Sequence, residues 1–154
     1  MAVTSRLEAP PAAVWDSVAS FEGVNHELMP LMRMTAPPHV RRLEPGQVTP
    51  GERICRSWIL LFGLVPFDYD DIVLVRLEPG RGFHEDSKMA SMRRWQHERW
   101  IEPAGQSATL IRDRLTFEPR LPLPGRLFEP VVRAIFRHRH RRLRRRFGGG
   151  PAEA

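Results

Sequence analysis

LFEPVVRAIFRHRHRRLRRRF, residues 127–147, reads as one long amphipathic helix. At a 3.6-residue period Phe128, Val131, Val132, Ile135, Phe136, Leu143 and Phe147 fall in a single stripe, while most of the arginines fall on the opposite side. Pro130 is expected in the first turn, where a missing N–H costs little, and Gly148-Gly149-Gly150-Pro151 ends the helix. Residues 148–154 are expected to form a disordered tail. A helix of this kind needs an apolar face to lie on, and the rest of the chain must supply it.

Upstream, past a Pro- and Gly-rich bridge over 119–126, the segment 39–118 is strand-like. Turn signals recur at Glu44-Pro45-Gly46, Pro50-Gly51, Phe62-Gly63-Leu64-Val65-Pro66, Pro79-Gly80-Arg81-Gly82 and Pro103-Ala104-Gly105, which delimit six strands. Residues 2–8 alternate as a first strand. Ala9-Pro10-Pro11 then switches period, and Val14, Trp15 and Val18 mark a helix running to about Ser20. A second short helix is expected over 22–32, carrying Val24, Leu28, Met29, Leu31 and Met32 around His26. The pattern is α+β: a curved antiparallel sheet of about seven strands, two short helices after the first strand, and the long helix packed across one sheet face, with residues 1–147 forming a single domain.

The 154 residues suffice for one domain with a core large enough to tolerate a cavity, and 15 prolines favour short strands. Net charge is +6, concentrated at one end: residues 120–154 carry ten Arg against two Glu. The single cysteine, Cys55, excludes an internal disulfide and is expected to be buried as a small apolar residue. With no secretory pattern over the first 20 residues, and with the run Ile59–Val65 stopped by Pro66, a cytoplasmic location is expected.

Pairing across the turn at 103–106 sets Trp95 opposite Leu115, His97 opposite Asp113 and Arg99 opposite Ile111, all on one mostly apolar face. That face is expected to point inward. The alternate face, with Arg94, Gln96, Glu98, Arg112 and Arg114, suits solvent. A carboxylate beside an inward imidazole favours its charged form and fixes its orientation. The pair therefore serves as a register-setting interior hydrogen bond, as an anchor for a polar ligand group, or as a general acid or base. Arg139 falls between Ile135 and Leu143 in the middle of the apolar stripe, and a guanidinium there needs a partner. An Arg139–Asp113 ion pair is expected. Across the Gly63 turn, Trp58 is placed opposite Asp71 and Leu60 opposite Tyr69, which puts Trp58, Tyr69 and Phe62 on one face as core or pocket aromatics.

Several signals lead elsewhere. His138 and His140 lack the i, i+4 spacing of a zinc pair. Asp68, Asp70 and Asp71 lack the glycine and late glutamate of a calcium loop and suit a solvated strand. Gly148–Gly150 closes a helix and cannot cradle a phosphate at a helix start. Neither a metal nor a cofactor is called for. The arginines over Arg137–Arg146 suit a solvated helix face, with a nucleic acid or anionic membrane as the sharper alternative.

Six pieces taken together resemble the START-like (SRPBCC) superfamily of helix-grip proteins, which includes the birch-pollen-allergen type and the polyketide cyclases. They are Leu7-Glu8-Ala9-Pro10-Pro11-Ala12-Ala13-Val14-Trp15, Gly82-Phe83, Trp95-Gln96-His97, Thr109 to Asp113, Leu123-Pro124-Gly125 and Ile135-Phe136-Arg137-His138-Arg139. The chain departs from the pattern at His84-Glu85-Asp86, at Ala90-Ser91 where a glycine-proline pair is usual, and at Arg99 where a second histidine is usual. The resemblance implies a hydrophobic ligand tunnel between sheet and last helix. The expected function is binding of a small hydrophobic ligand of lipid, polyketide or aromatic type, with Trp95, His97, Arg99, Asp113, Trp58, Tyr69, Phe62, Leu115, Phe136, Arg139 and Met29 as candidate ligand-binding residues. The alternatives are a cyclase or aromatase acting through the same pocket, and an interaction protein using the basic helix.

Overall fold

The computed structural model describes residues 1–120 and 125–152. The element order is β1 (Ala2–Leu7), α1 (Pro11–Val18), α2 (Phe21–Leu28), β2 (Met32–Met34), β3 (Arg53–Leu61), β4 (Val65–Glu78), β5 (Gly82–Met89), β6 (Met92–Pro103), β7 (Thr109–Pro119), α3 (Gly125–Phe147) and β8 (Gly149–Pro151). One sheet holds all eight strands in the order β2-β3-β4-β5-β6-β7-β1-β8, every recorded pairing antiparallel. Irregular pairings in β3–β4, β4–β5 and β6–β7 are the kind that bend a strand and increase its twist. The α+β helix-grip arrangement expected from the sequence is present, with eight strands instead of about seven.

The differences have local causes. Helix α2 stops at Leu28 and Met29 is extended, with ψ of 146°, because a residue before proline avoids the helical region. The expected helix over 22–32 therefore yields its last residues to β2. Within 39–118 there are five strands, β3–β7, not six, and the part before Arg53 forms turns. Gly149–Pro151, expected in a disordered tail, pairs with Ser5–Leu7 as an edge strand. A Cβ on Gly149 would stand 2.0 Å from the Arg6 carbonyl oxygen, so only glycine allows that approach. Residues 153–154 of that tail, and 121–124 of the bridge with Leu123-Pro124, lie outside the described residues.

Helix α1 starts with Pro11 at its first position, where proline fits. Ser20 caps α2: its Oγ accepts from the Gly23 N–H at 3.0 Å and donates to the Ser17 carbonyl at 2.9 Å. The two helices meet so closely that a Cβ on Gly23 would fall 1.7 Å from the Ser17 oxygen. This approach positions the far end of α2, which carries Glu27.

The inward faces of β6 and β7 pack under α3. Ile101, Ile111, Leu7 and Leu143 join one apolar cluster, and Leu115, Val132 and Phe136 another. Each such side chain, fully buried, contributes about 1.5–3 kcal/mol.

Candidate functional site

Trp95 pairs with Phe117, His97 with Leu115 and Arg99 with Asp113. The register differs by two from the expected one, because Ala104 N–H bonds to the Ala108 carbonyl and centres the turn one residue later. A shift of two preserves the side-chain face. Trp95, His97, Arg99, Asp113 and Leu115 therefore all point inward as expected, while Arg94, Arg112 and Arg114 lie exposed outside.

At the centre of this face is a fully buried ionic clamp. Arg99, 0% exposed, donates from Nε to Asp113 Oδ1 at 2.7 Å and from Nη2 to Oδ2 at 2.6 Å. On its other edge Nη1 and Nη2 donate to the two oxygens of Glu27 at 2.8 and 3.0 Å. Arg139 on α3 reaches Glu27 Oε2 at 2.9 Å. His140 Nε2 lies 3.0 Å from Asp113 Oδ2, and His140 Nδ1 lies 2.9 Å from Ser5 Oγ, which also accepts from Arg144 at 2.8 Å. A proton on Nε2 of His140 satisfies both contacts. Asp113 also meets His97 Nε2 at 3.0 Å.

Burial opposes charge on Asp113, Glu27 and Arg99, yet the pairing dominates. Asp113 is held well below the usual carboxylate range by Arg99 and His97, and Glu27 is lowered by Arg99 and Arg139. Arg99 is raised by Asp113 and Glu27. The expected Arg139–Asp113 pair is corrected: Asp113 is taken up by Arg99, His97 and His140 together, and Arg139 shares Glu27 with Arg99 instead.

Beside the clamp, between the sheet, α2 and α3, lies a cavity of about 280 Å³. Its walls are mostly apolar, with Leu28, Ile59, Met89, Trp95, Ile135 and Phe136 among them. Phe67 at 54% exposure and Val131 at 57% are at once lining and exposed, so they mark its mouth. The polar groups at its wall are Asp68, Asp70, Glu85, Ser91, His97 and Arg139, with Ser20 near the α1–α2 junction. The His97 ring stands edge-on to Phe83 and Phe136, at centroid separations of 5.2 and 5.1 Å. A carboxylate faces each of its nitrogens: Asp113 at Nε2, and Glu85 Oε2 at 3.7 Å from Nδ1. Glu85 also accepts from Ser87 Oγ at 2.7 Å, and its carboxyl is lowered against the effect of burial by His97.

Of the expected site residues, Trp95, His97, Phe136 and Arg139 line the cavity. Arg99, Asp113 and Leu115 are buried behind that wall. Trp58, Tyr69 and Phe62 are not at the cavity. Trp58 pairs with Tyr69, their rings edge-on at 5.7 Å, but on the outer face, with Trp58 47% and Phe62 61% exposed. The parity of this hairpin is inverted relative to the expected burial, since Asp68 and Asp70 point inward at 4% exposure each and are not a solvated strand. Asp68 tolerates burial because it accepts from the Tyr69 and Ser91 amides and from Ser91 Oγ. Met29, beyond the end of α2, sits under the Gly63 turn and accepts at its carbonyl from His138 Nε2 at 3.0 Å.

Glu27, His140, Asp70 and Glu85 were not among the sequence candidates. Glu27 follows Val24 by three and His140 follows Phe136 by four, so both lie on apolar helix stripes, which was a readable signal. Asp70 carried none. Cys55 is buried and its thiol is pushed up to about 11 by burial, which leaves it unreactive. Among the described residues there is no group of three or more side chains suited to a metal ion and no helix long and apolar enough to cross a membrane.

Solved structures with this fold are numerous. A START superfamily protein from Mycobacterium smegmatis superposes with a TM-score of 0.69 at 14% identity, covering 96% of this chain and 95% of that one. Protein CV1439 from Chromobacterium violaceum gives 0.71 at 12% identity, with 97% of each chain covered. An HSP90 activator from Plasmodium falciparum gives 0.65 at 8% identity, covering 99% and 98%. The fold is START-like. No curated protein matches the chain. The model of the family described as "Domain of unknown function (DUF8410)" matches residues 5–147, and the chain belongs to that family.

Proposed function

We propose that the protein binds a small apolar molecule in the cavity under α3. The observation that carries this reading is the cavity itself: about 280 Å³, apolar over most of its wall, open between Phe67 and Val131, with a few polar groups gathered at the wall. It lies near the lower end of the roughly 300–1,000 Å³ of small-molecule sites, which are likewise mostly apolar with a small number of polar groups. Trp95 and Phe136 form the aromatic wall, and His97 and Arg139 reach it from the edge of the clamp. The START-like fold supports small-molecule binding in general, although one relative named above is an HSP90 activator, so fold alone does not choose.

Native mass spectrometry of freshly purified protein is expected to retain a co-purified small molecule. After its removal, a neutral fluorescent probe such as N-phenyl-1-naphthylamine should bind with a blue shift. Absence of both a retained mass and probe binding would overturn the reading.

A second reading, acid–base catalysis of the cyclase type, draws on one observation: His97 lines the cavity with a carboxylate at each ring nitrogen. Turnover of a cyclisable polyketide-type substrate lost in His97→Gln, with binding retained, would favour it. The interaction reading of the basic helix has less to draw on. Arg139, Arg142 and Arg144 donate to Glu27, the His26 carbonyl and Ser5, leaving Arg137, Arg141, Arg145 and Arg146 on an ordinary solvated face.

A further inference from the structure

The charges around the cavity do not balance. In the clamp, Arg99 and Arg139 answer Glu27 and Asp113 one for one. On the sheet side three more carboxyl groups, Asp68, Asp70 and Glu85, line the cavity, and His97 is the one basic group set against them there. Asp68 is occupied by Ser91 and two amides, and Glu85 by Ser87 and His97. Asp70 differs: it is buried at 4% exposure, and its Oδ1 has no hydrogen-bond partner among the described residues. A buried polar atom left unpaired in a cavity wall costs stability unless something enters to meet it. Burial and the neighbouring Glu85 raise the Asp70 carboxyl well above its ordinary value, which favours its neutral form.

We infer that this end of the cavity takes the cationic head group of an amphiphile, a protonated amine seated against Asp70 and Glu85 with its apolar body along Trp95, Leu28 and Ile135. The inference rests on the reading of the cavity as a small-molecule site and names the class of ligand. An ammonium that docks there displaces the Asp70 proton to water, so that R–NH3⁺ and Asp70–COOH give an ammonium–carboxylate pair and one released proton. No covalent bond changes. A carboxylate ligand would instead meet three carboxyl groups and only His97 and the already paired Arg139. The titratable and charged groups around Asp70 are Asp68 on its own strand β4, Cys55 from β3, Glu85 from β5, His97 from β6 and Arg139 from α3, with Glu27 and Asp113 behind the last two.

The test compares three chain-matched probes, decylammonium, decanol and decanoate, by calorimetry at pH 8 in two buffers of different ionisation enthalpy. Decylammonium is expected to bind about tenfold more tightly than decanol, as a charge-assisted pair replaces a neutral contact. Decanoate should be weakest. Across a pH series decylammonium binding should release protons where Asp70 is neutral in the free protein and strengthen as pH rises through that range, whereas decanol binding should release none. Asp70→Asn should bring the decylammonium affinity down to that of decanol, with decanol binding itself reporting that the variant is folded. Equal or tighter binding of decanoate, the absence of proton release, or an amine preference that survives Asp70→Asn would overturn the inference. If decanol binds and the amine gains nothing, the head-group inference alone fails. If none of the three binds, the cavity reading fails and takes this inference with it.

Discussion

Arg99 is the residue on which the interior turns, because it donates four hydrogen bonds to two buried carboxylates, Glu27 and Asp113. Removing one partner of a buried pair costs about 3–5 kcal/mol, and here two carboxylates would lose their main partner at once, Glu27 keeping Arg139 and Asp113 keeping His97 and His140. Arg99→Met is therefore expected to lower the urea unfolding free energy by at least that range, and Arg99→Lys to recover only part of it, since an ammonium cannot bond both carboxylates in the forked geometry. The same carboxylates set the acid limit. Asp113 and Glu27 have lowered pKa values in the fold, so their contribution is fully present above the ordinary carboxylate range and is lost as pH falls from that range down through the lowered folded values. Asp70 has the opposite sign. Its raised value means that its neutral form stabilises the empty protein at low pH, and that contribution is lost as pH rises through the folded value. Urea midpoints measured across pH should fall on the acid side for the wild type, and Asp70→Asn should remove the separate loss of stability that sets in as pH rises from the ordinary carboxylate range towards the raised Asp70 value. An unchanged pH profile in that variant would show that Asp70 does not titrate in the fold.

At the scale of elements, periodicity and parity carried most of the fold, and they failed where a polar residue outranked an apolar one. The stripe in 127–147 located α3, and the β6–β7 parity placed His97, Arg99 and Asp113 inward despite a two-residue error in register. The β3–β4 hairpin misled because hydropathy assigns Trp58, Phe62 and Tyr69 to the interior and the aspartates to solvent. Two of the three donors that make a buried Asp68 acceptable come from Ser91, 23 residues away, and no local pattern announces them. Arg139 was correctly placed inward but given the wrong partner, since Glu27 lies on a different element, and the close packing of α1 on α2 that positions it is a tertiary fact. That packing gives a prediction of definite sign. In an isolated helix Gly23→Ala would stabilise by about 1 kcal/mol. Here the added methyl meets the Ser17 carbonyl at 1.7 Å, so α2 must shift, and a net loss of about 1–3 kcal/mol is expected from overpacking. Thermal unfolding of the variant measures it. Because Glu27 moves with α2, the loss should be smaller in a Glu27→Gln background, where less of the clamp remains to be disturbed.

For the molecule as a whole, grip and pocket are two halves of one arrangement. The clamp ties α3 to α2, β7 and β1 through Arg139, His140 and Arg144, while the N-terminal half of the helix packs on Leu115 through Val132 and Phe136 and walls the cavity with Val131 and Ile135. A fold held mainly by apolar packing under α3 would close that space, because interiors pack densely and voids are costly. The clamp thus takes over work that a full core would otherwise do, and the empty protein is expected to be less stable than its size permits. Filling the space should expose the exchange. Ile135 lines the cavity and is half-buried, so Ile135→Trp places an indole in it without touching an ionic group. If the cavity is a ligand site, that variant should lose at least tenfold in affinity for the neutral probe while its melting temperature rises by about 2–4 °C for each kcal/mol of packing gained. Saturating wild type with ligand should raise its melting temperature, because only the folded form binds, and the variant should show no such increment. A variant that is destabilised yet still binds would mean that the indole turns out through the mouth at Val131. A variant that is stabilised and still binds at full affinity would place the ligand elsewhere, and the roofed space under α3 would then be a packing defect tolerated by the strength of the clamp.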